Sequence, residues 1–258
     1  MEKSTKNILI ILVSFGLYFT LDALFFKVIR TWFFEHTNQL GISHIIAYAI
    51  TGVPLFSGVL IMDRRSNFLR NFGLERSLFK GVFFAIICTL PMFIGFSLLF
   101  EMNQELKLNT VLIGVIAAGF FEEVYFRGFL FGLLFRKTKL GFILSVLFGA
   151  IYFGALHLYQ SSDLTETIGI FLITFLGGIL YAWVYAEWNF NIWVPIFLHM
   201  FMNLAWEVFS VSENALGDLY SNVFRFVTIA LIILGTLLYK KRKGAKRLIH
   251  KRNLFFSK

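Results

Sequence analysis

Apolar runs of about twenty residues, broken by short polar stretches, divide the chain into windows at 8–29, 42–62, 81–100, 111–135, 141–159, 168–186, 190–209 and 223–239. A helix of about twenty apolar residues crosses the ~30 Å hydrocarbon layer of a bilayer. Nothing in these windows alternates with the period of two that a membrane β-strand shows. Each window therefore predicts a transmembrane helix, which satisfies its own backbone groups where no water is available. The expected fold class is an all-α, polytopic membrane helical bundle of about eight transmembrane helices. With three prolines and no Ser/Gly-rich linker, the bundle is expected to form a single integral-membrane domain over 1–258, without internal repeats. The first apolar run follows a Lys-bearing start but has no small-residue cleavage pattern behind it, so it reads as a retained span.

Composition excludes a soluble domain. Hydrophobic residues make up 58% and charged residues 15%, against ~25% charged in soluble domains, and the mean hydropathy is +0.74. The charges that remain give the chain a direction. Arg64, Arg65, Arg70, Arg76 and Lys80 lie in the second connection, Arg136, Lys137 and Lys139 in the fourth, and nine basic residues follow from Lys240 onward. The odd-numbered connections instead hold Glu35, Glu101, Glu105, Asp163, Glu213 and Asp218. Positive residues stay on the cytoplasmic side, so both termini are expected there, in what reads as a bacterial plasma membrane. The segment 240–258 supplies most of the net charge of +9. Directly after a span, such a run predicts contact with anionic lipid headgroups, at ~1 kcal/mol per residue, and no nucleic-acid partner. The single Cys88 cannot form an internal disulfide and reads as a small apolar side chain.

The informative positions are those that break the apolar pattern. In GFFEEVYFRGFL, 119–130, two carboxylates and an arginine sit where each charge costs at least ~2.5–3.5 kcal/mol. On an α-helix Glu123 and Arg127 are four apart and can pair, while Glu122 is turned about 100° away and is free for another partner. The fifth window contains FGALH, Phe153 to His157, and the seventh contains HMFMN, His199 to Asn203. Polar groups on three spans are expected to face the bundle interior and to converge. The small pairs Gly114…Ala118 and Gly128…Gly132 would let neighbouring helices approach. Depths counted from the basic ends are ~20 Å for Glu122, ~25 Å for His157 and ~13 Å for His199, so straight helices would not bring the three to one level.

These motifs resemble the CAAX protease and bacteriocin-processing (CPBP, or Abi) family of intramembrane glutamic endopeptidases, related to the type II CAAX prenyl endopeptidases. That family's E-E-x-x-x-R, F-x-x-x-H and H-x-x-x-N/D patterns are matched in order by Glu122-Glu123…Arg127, Phe153…His157 and His199…Asn203. The motif core would occupy 111–209. The resemblance implies an endopeptidase in which Glu122 activates water, His157 helps to hold it, Glu123 and Arg127 fix the helix geometry, and His199 with Asn203 stabilises the oxyanion. It also implies catalysis without a cofactor, on a peptide or protein substrate at the membrane. A small peptide precursor is favoured over a prenylated tail.

Other readings stay open at this stage. Two histidines and a carboxylate suit zinc, but there is no H-E-x-x-H and Asn is a poor ligand, so zinc ranks second. The ionic cluster could serve stability alone, in a non-proteolytic immunity or scaffold protein of the same fold. An ion transporter would use Glu122 and Glu123 but would leave the His and Asn motifs unexplained. Asp22 in the first window is expected to pair with Lys27 or with a neighbouring helix.

Overall fold

The computed structural model describes residues 2–63 and 65–256. Arg64, counted above in the second connection, lies outside them with Met1, Ser257 and Lys258. Long helices occupy all the apolar windows: α1 Lys3–Thr37, α2 Leu40–Met62, α3 Leu78–Leu99, α4 Leu108–Lys137, α5 Phe142–Ala155, α6 Leu164–Glu187, α7 Trp193–Val208 and α8 Leu219–Arg242. Within α2 the winding is interrupted at Gly52, because Pro54 lacks the N–H that would continue the ladder. Among the described residues there is no strand, only an isolated pairing of Leu140 with Phe256.

Hydrogen bonds at the two ends of the bundle define the threading. At one end Asn7 Nδ2 donates to the Lys137 carbonyl (2.8 Å), Lys137 pairs with Asp63 (2.7 Å), and Asn191 Nδ2 donates to the Ser77 carbonyl (2.9 Å). At the other end Gly41 N–H donates to Asn109 Oδ1 (3.0 Å), Asn103 Nδ2 to the Glu207 carbonyl (3.0 Å), and Ala215 N–H to Gln160 Oε1 (2.8 Å). The helices therefore run alternately up and down, and the basic second and fourth connections meet at one end. Seven of them are long and apolar enough to cross a membrane, α5 with its continuation to Gln160 included. The exception is α7, whose 16 residues span only ~24 Å, less than the window 190–209. Its contacts still join the two ends, because Asn191 and Asn103 reach in from the connections.

The bundle is apolar outside and carries its polar groups within, as a bilayer demands. Leu9, Leu17, Leu24 and Val28 of α1 and Phe83, Ile87 and Leu98 of α3 are exposed, while Ser14, Ser43, Thr51 and Thr89 are buried. Asp22 accepts a hydrogen bond from Thr51 Oγ1 of the neighbouring α2 (3.3 Å). The central helix is α4, in which every residue from Glu123 to Leu134 is buried. A helix apolar all round belongs in such a place.

One expectation is corrected. The fourth window is not an ordinary α-helix: over Val111–Phe131 it carries i→i+5 bonds, a wider winding usually confined to single turns near functional sites. The spacing of 100° per residue therefore does not apply there, nor does a depth counted at 1.5 Å per residue. The basic tail folds back over one end of the bundle, with Lys241, Arg242, Lys243, Arg247, Lys251 and Arg252 left exposed. Leu248 and Ile249 N–H donate to the Glu187 carboxylate (3.2 and 2.9 Å), buried Lys240 pairs with the same group (3.2 Å), and Gly141 N–H donates to the Phe255 carbonyl (2.7 Å).

Where α3 starts, Gly81 lies against the backbone of Trp193 at the start of α7, and a Cβ there would stand 2.5 Å from the Trp193 carbonyl oxygen. Backbone cannot yield as a flexible side chain does, and overpacking of this kind costs ~1–3 kcal/mol. Gly81→Ala is expected to lower the thermal unfolding midpoint of the detergent-solubilised protein and to displace α7. An unchanged midpoint would contradict this close approach.

Candidate active site

Glu123 is the hub of the polar interior. Its side chain has no exposure to water, and Oε1 faces two partners: Arg127 Nη1 at 3.0 Å on the same helix and His199 Nδ1 at 2.9 Å on α7. The pairing of Glu123 with Arg127 is thus present, although the helix that makes it is wound more widely than assumed. The Arg127 guanidinium lies over the Phe153 ring of α5 (4.4 Å) and near the Tyr181 ring of α6 (5.6 Å), so four helices meet around one ion pair. Among the described residues Glu123 Oε2 and Arg127 Nη2 are buried without a hydrogen-bond partner.

The two histidines are held in the same manner. His157 stands just past the C-terminus of α5, with Nδ1 2.7 Å from the Phe153 carbonyl oxygen. A carbonyl only accepts, so Nδ1 carries the proton and Nε2 keeps its lone pair. His199 Nδ1 donates likewise to the Glu123 carboxylate. In the neutral form both rings therefore offer an accepting Nε2. Phe153 serves both Arg127, through its ring, and His157, through its carbonyl, which gives the F-x-x-x-H spacing a physical basis.

Asn203 is committed differently from the expected oxyanion pairing. Its Nδ2 donates to the Gly114 carbonyl oxygen (2.8 Å), so one of its N–H groups ties α7 to α4 and only the second is free. The helices approach closely here because Gly119 faces Met200: a Cβ at Gly119 would lie 2.5 Å from Met200 Cγ and 3.1 Å from its backbone nitrogen.

A cavity of about 1120 Å³ joins these groups, and Glu122, Arg127, His157, His199 and Asn203 all line it. Glu123 does not, being sealed behind its partners. The half-buried Glu122 forms no ion pair or hydrogen bond among the described residues. Straight α-helices are not what holds these groups, because α4 is wound with i→i+5 bonds and His157 lies beyond its helix. The cavity extends to the end of the bundle opposite the basic connections, where Tyr159, Gln160 and residues 212–215 line it. Among the described residues no cluster of three or more His, Cys, Asp or Glu is arranged to hold a metal ion. Arg225 of α8 also lines the cavity. Its signal in the sequence is the one that marks Glu122, a charge inside an apolar window.

Residues 103–205 match the model of the family described as type II CAAX prenyl endopeptidase Rce1-like. A protein of Bacillus subtilis (strain 168) named "Putative membrane peptidase YdiL" is 33% identical over 96 residues, which cover 36% of this chain and 34% of that protein. The match thus spans about a third of the relative's length. No solved structure matches. The matched segment contains all three motifs and ends just past Asn203.

Removing one partner of a buried ion pair leaves the other charge uncompensated, at ~3–5 kcal/mol. Losing a single neutral hydrogen bond costs ~1 kcal/mol. Arg127→Gln is therefore expected to destabilise the bundle several-fold more than Asn203→Ala, measured by chemical or thermal unfolding in detergent. Equal effects would mean that Glu123 is not ionised in its pocket.

Proposed function

The chain belongs, through residues 103–205, to the CAAX protease and bacteriocin-processing family, and from that premise we propose that it is an intramembrane endopeptidase acting through a glutamate-activated water. The observation that carries the reading is the contrast between adjacent carboxylates. Glu123 is paired through Oε1 with Arg127 and His199, whereas Glu122 faces the cavity without a protein partner among the described residues, in company with His157.

A water between Glu122 and His157 Nε2 meets two acceptors, so both of its protons are held and its oxygen lone pair is turned outward. As that oxygen attacks the peptide carbonyl, Glu122 takes one proton as general base. The carbonyl oxygen becomes negative and requires donors. The second N–H of Asn203 is one. His199 Nε2 is the other once the ring carries a second proton, whose charge the Glu123 carboxylate on Nδ1 would compensate. When the C–N bond breaks, Glu122 returns its proton to the leaving amine, and the new acid group loses its remaining proton to solvent. The substrate is a peptide or protein at the membrane, a small peptide precursor in preference to a prenylated tail. The step uses no cofactor. Both termini and the basic end lie in the cytoplasm of a bacterial plasma membrane, so the mouth of the cavity opens on the opposite side.

Removal of a general base costs ~10²–10⁴-fold in rate. Glu122→Gln is expected to lose that much cleavage of a peptide library in proteoliposomes, while the unfolding midpoint stays within error because no partner is lost. His157→Ala and His199→Ala are expected to be impaired as well. Undiminished cleavage in all three would reject the assignment. A cellular phenotype that survives all three changes would favour an immunity or scaffold role.

A further inference from the structure

Arg225 belongs to none of the matched motifs and lies beyond residue 205. It sits in the second turn of α8 with 8% exposure. Its Cζ stacks 4.3 Å from the Trp206 ring, and its Nη1 donates to Asn222 Oδ1 (3.0 Å) and the Leu216 carbonyl (3.4 Å). These contacts hold one edge of the guanidinium. The Nε–H and the two Nη2 protons have no acceptor in the protein among the described residues, and the side chain lines the cavity. Glu207 and Glu213 line it too, yet no carboxylate of the described residues comes within 4.0 Å of the guanidinium. Arg127, the other buried cation of this cavity, does have its carboxylate. A buried charge without a counter-ion is costly, and the open fork matches a carboxylate in two-pronged fashion.

Position gives this group a place in the reaction. Trp206, on which Arg225 rests, lies seven residues after His199 on the same face of α7, or ~10 Å further along the helix.

We propose that Arg225 is a specificity-determining residue that binds a carboxylate of the substrate at the level of Trp206, on the side of His199 toward the cavity mouth. The proposal rests on the endopeptidase reading. The carboxylate is the substrate's C-terminus or an acidic side chain at the same level, and Asn222 and Trp206 position the guanidinium to receive it.

Three internally quenched pools of randomised decapeptides separate the cases: one with free C-termini, one amidated, and one amidated with a fixed glutamate. One charge-assisted contact corresponds to ~10–100-fold. Full-length protein in proteoliposomes is expected to cleave the free-acid pool, or the glutamate pool, by that factor over the plain amide pool. Arg225→Gln should collapse the ratio toward one, and Arg225→Lys should keep part of it. Binding of the same pools to Glu122→Gln protein, with and without Arg225→Gln, reads the preference without catalysis. Absence of wild-type cleavage would then sink the endopeptidase reading while binding still decides Arg225. Equal losses on all pools in Arg225→Gln and Arg225→Lys, or a preference that persists in both, would overturn the proposal.

Discussion

A carboxylate with no access to water sits at the centre of this bundle, and its need for compensation sets the position of everything around it. Stripping an ion such as Glu123 of water costs several kcal/mol even after relaxation, and the surrounding core of Phe, Leu and Val offers nothing in return. Compensation comes from Arg127 one turn along α4 and from His199 across the α7 interface. Arg127 is in turn seated on rings from α5 and α6. Four helices are therefore registered against a single charge, and a displacement of any one would leave a buried ion uncovered.

The same arrangement divides labour between neighbouring residues of one type. Glu122 and Glu123 are adjacent in sequence, yet winding turns one into the packed interface and the other toward the cavity. One consequence concerns charge. Among the reacting groups Arg127 offsets Glu123, so a second proton on His199 would be the counterpart of an ionised Glu122, with Arg225, Glu207 and Glu213 elsewhere in the same cavity. On the proposed mechanism that extra proton is what an oxyanion needs opposite it. A fixed ion pair, a free carboxylate and a ring with one nitrogen held form a set whose net charge can follow the reaction.

Much of this was legible in the sequence, for identifiable reasons. Spans appear as windows because lipid allows few polar residues, and the same scarcity makes Glu122, Glu123, Arg127, His157, His199 and Asn203 conspicuous. What escaped depends on packing rather than on pattern. The i→i+5 winding of α4 leaves no trace in the periodicity of a helix apolar on every side. The partner of Asn203 is a backbone carbonyl, Gly114, which no side-chain motif announces. Docking of the tail rests on Glu187, a residue at a helix end that reads as ordinary until Lys240 and two backbone N–H groups converge on it. The short α7 reads as a full window because apolar residues of its flanking turns extend the run. Arg225 was visible as a charge, but its meaning comes from Trp206 and the cavity.

The proposed hydrolysis would have to reconcile water with an apolar surround, and the walls of this cavity are of two kinds. Toward one end of the bundle they are polar, with Gln160, Ser212, Glu213 and Asn214. Along the flank they are Leu172 and Leu176 of α6 and Phe226 of α8, all of which are also exposed on the outer, apolar surface. An apolar segment anchored in the bilayer can press against that flank at little desolvation cost, whereas a charged end cannot cross it and must enter from the wet side. A substrate lying across both walls would bring its apolar part from the lipid and its carboxylate from the water. The proposed anion site on Arg225 and the proposed water at Glu122 both belong to the cavity that such a substrate would enter.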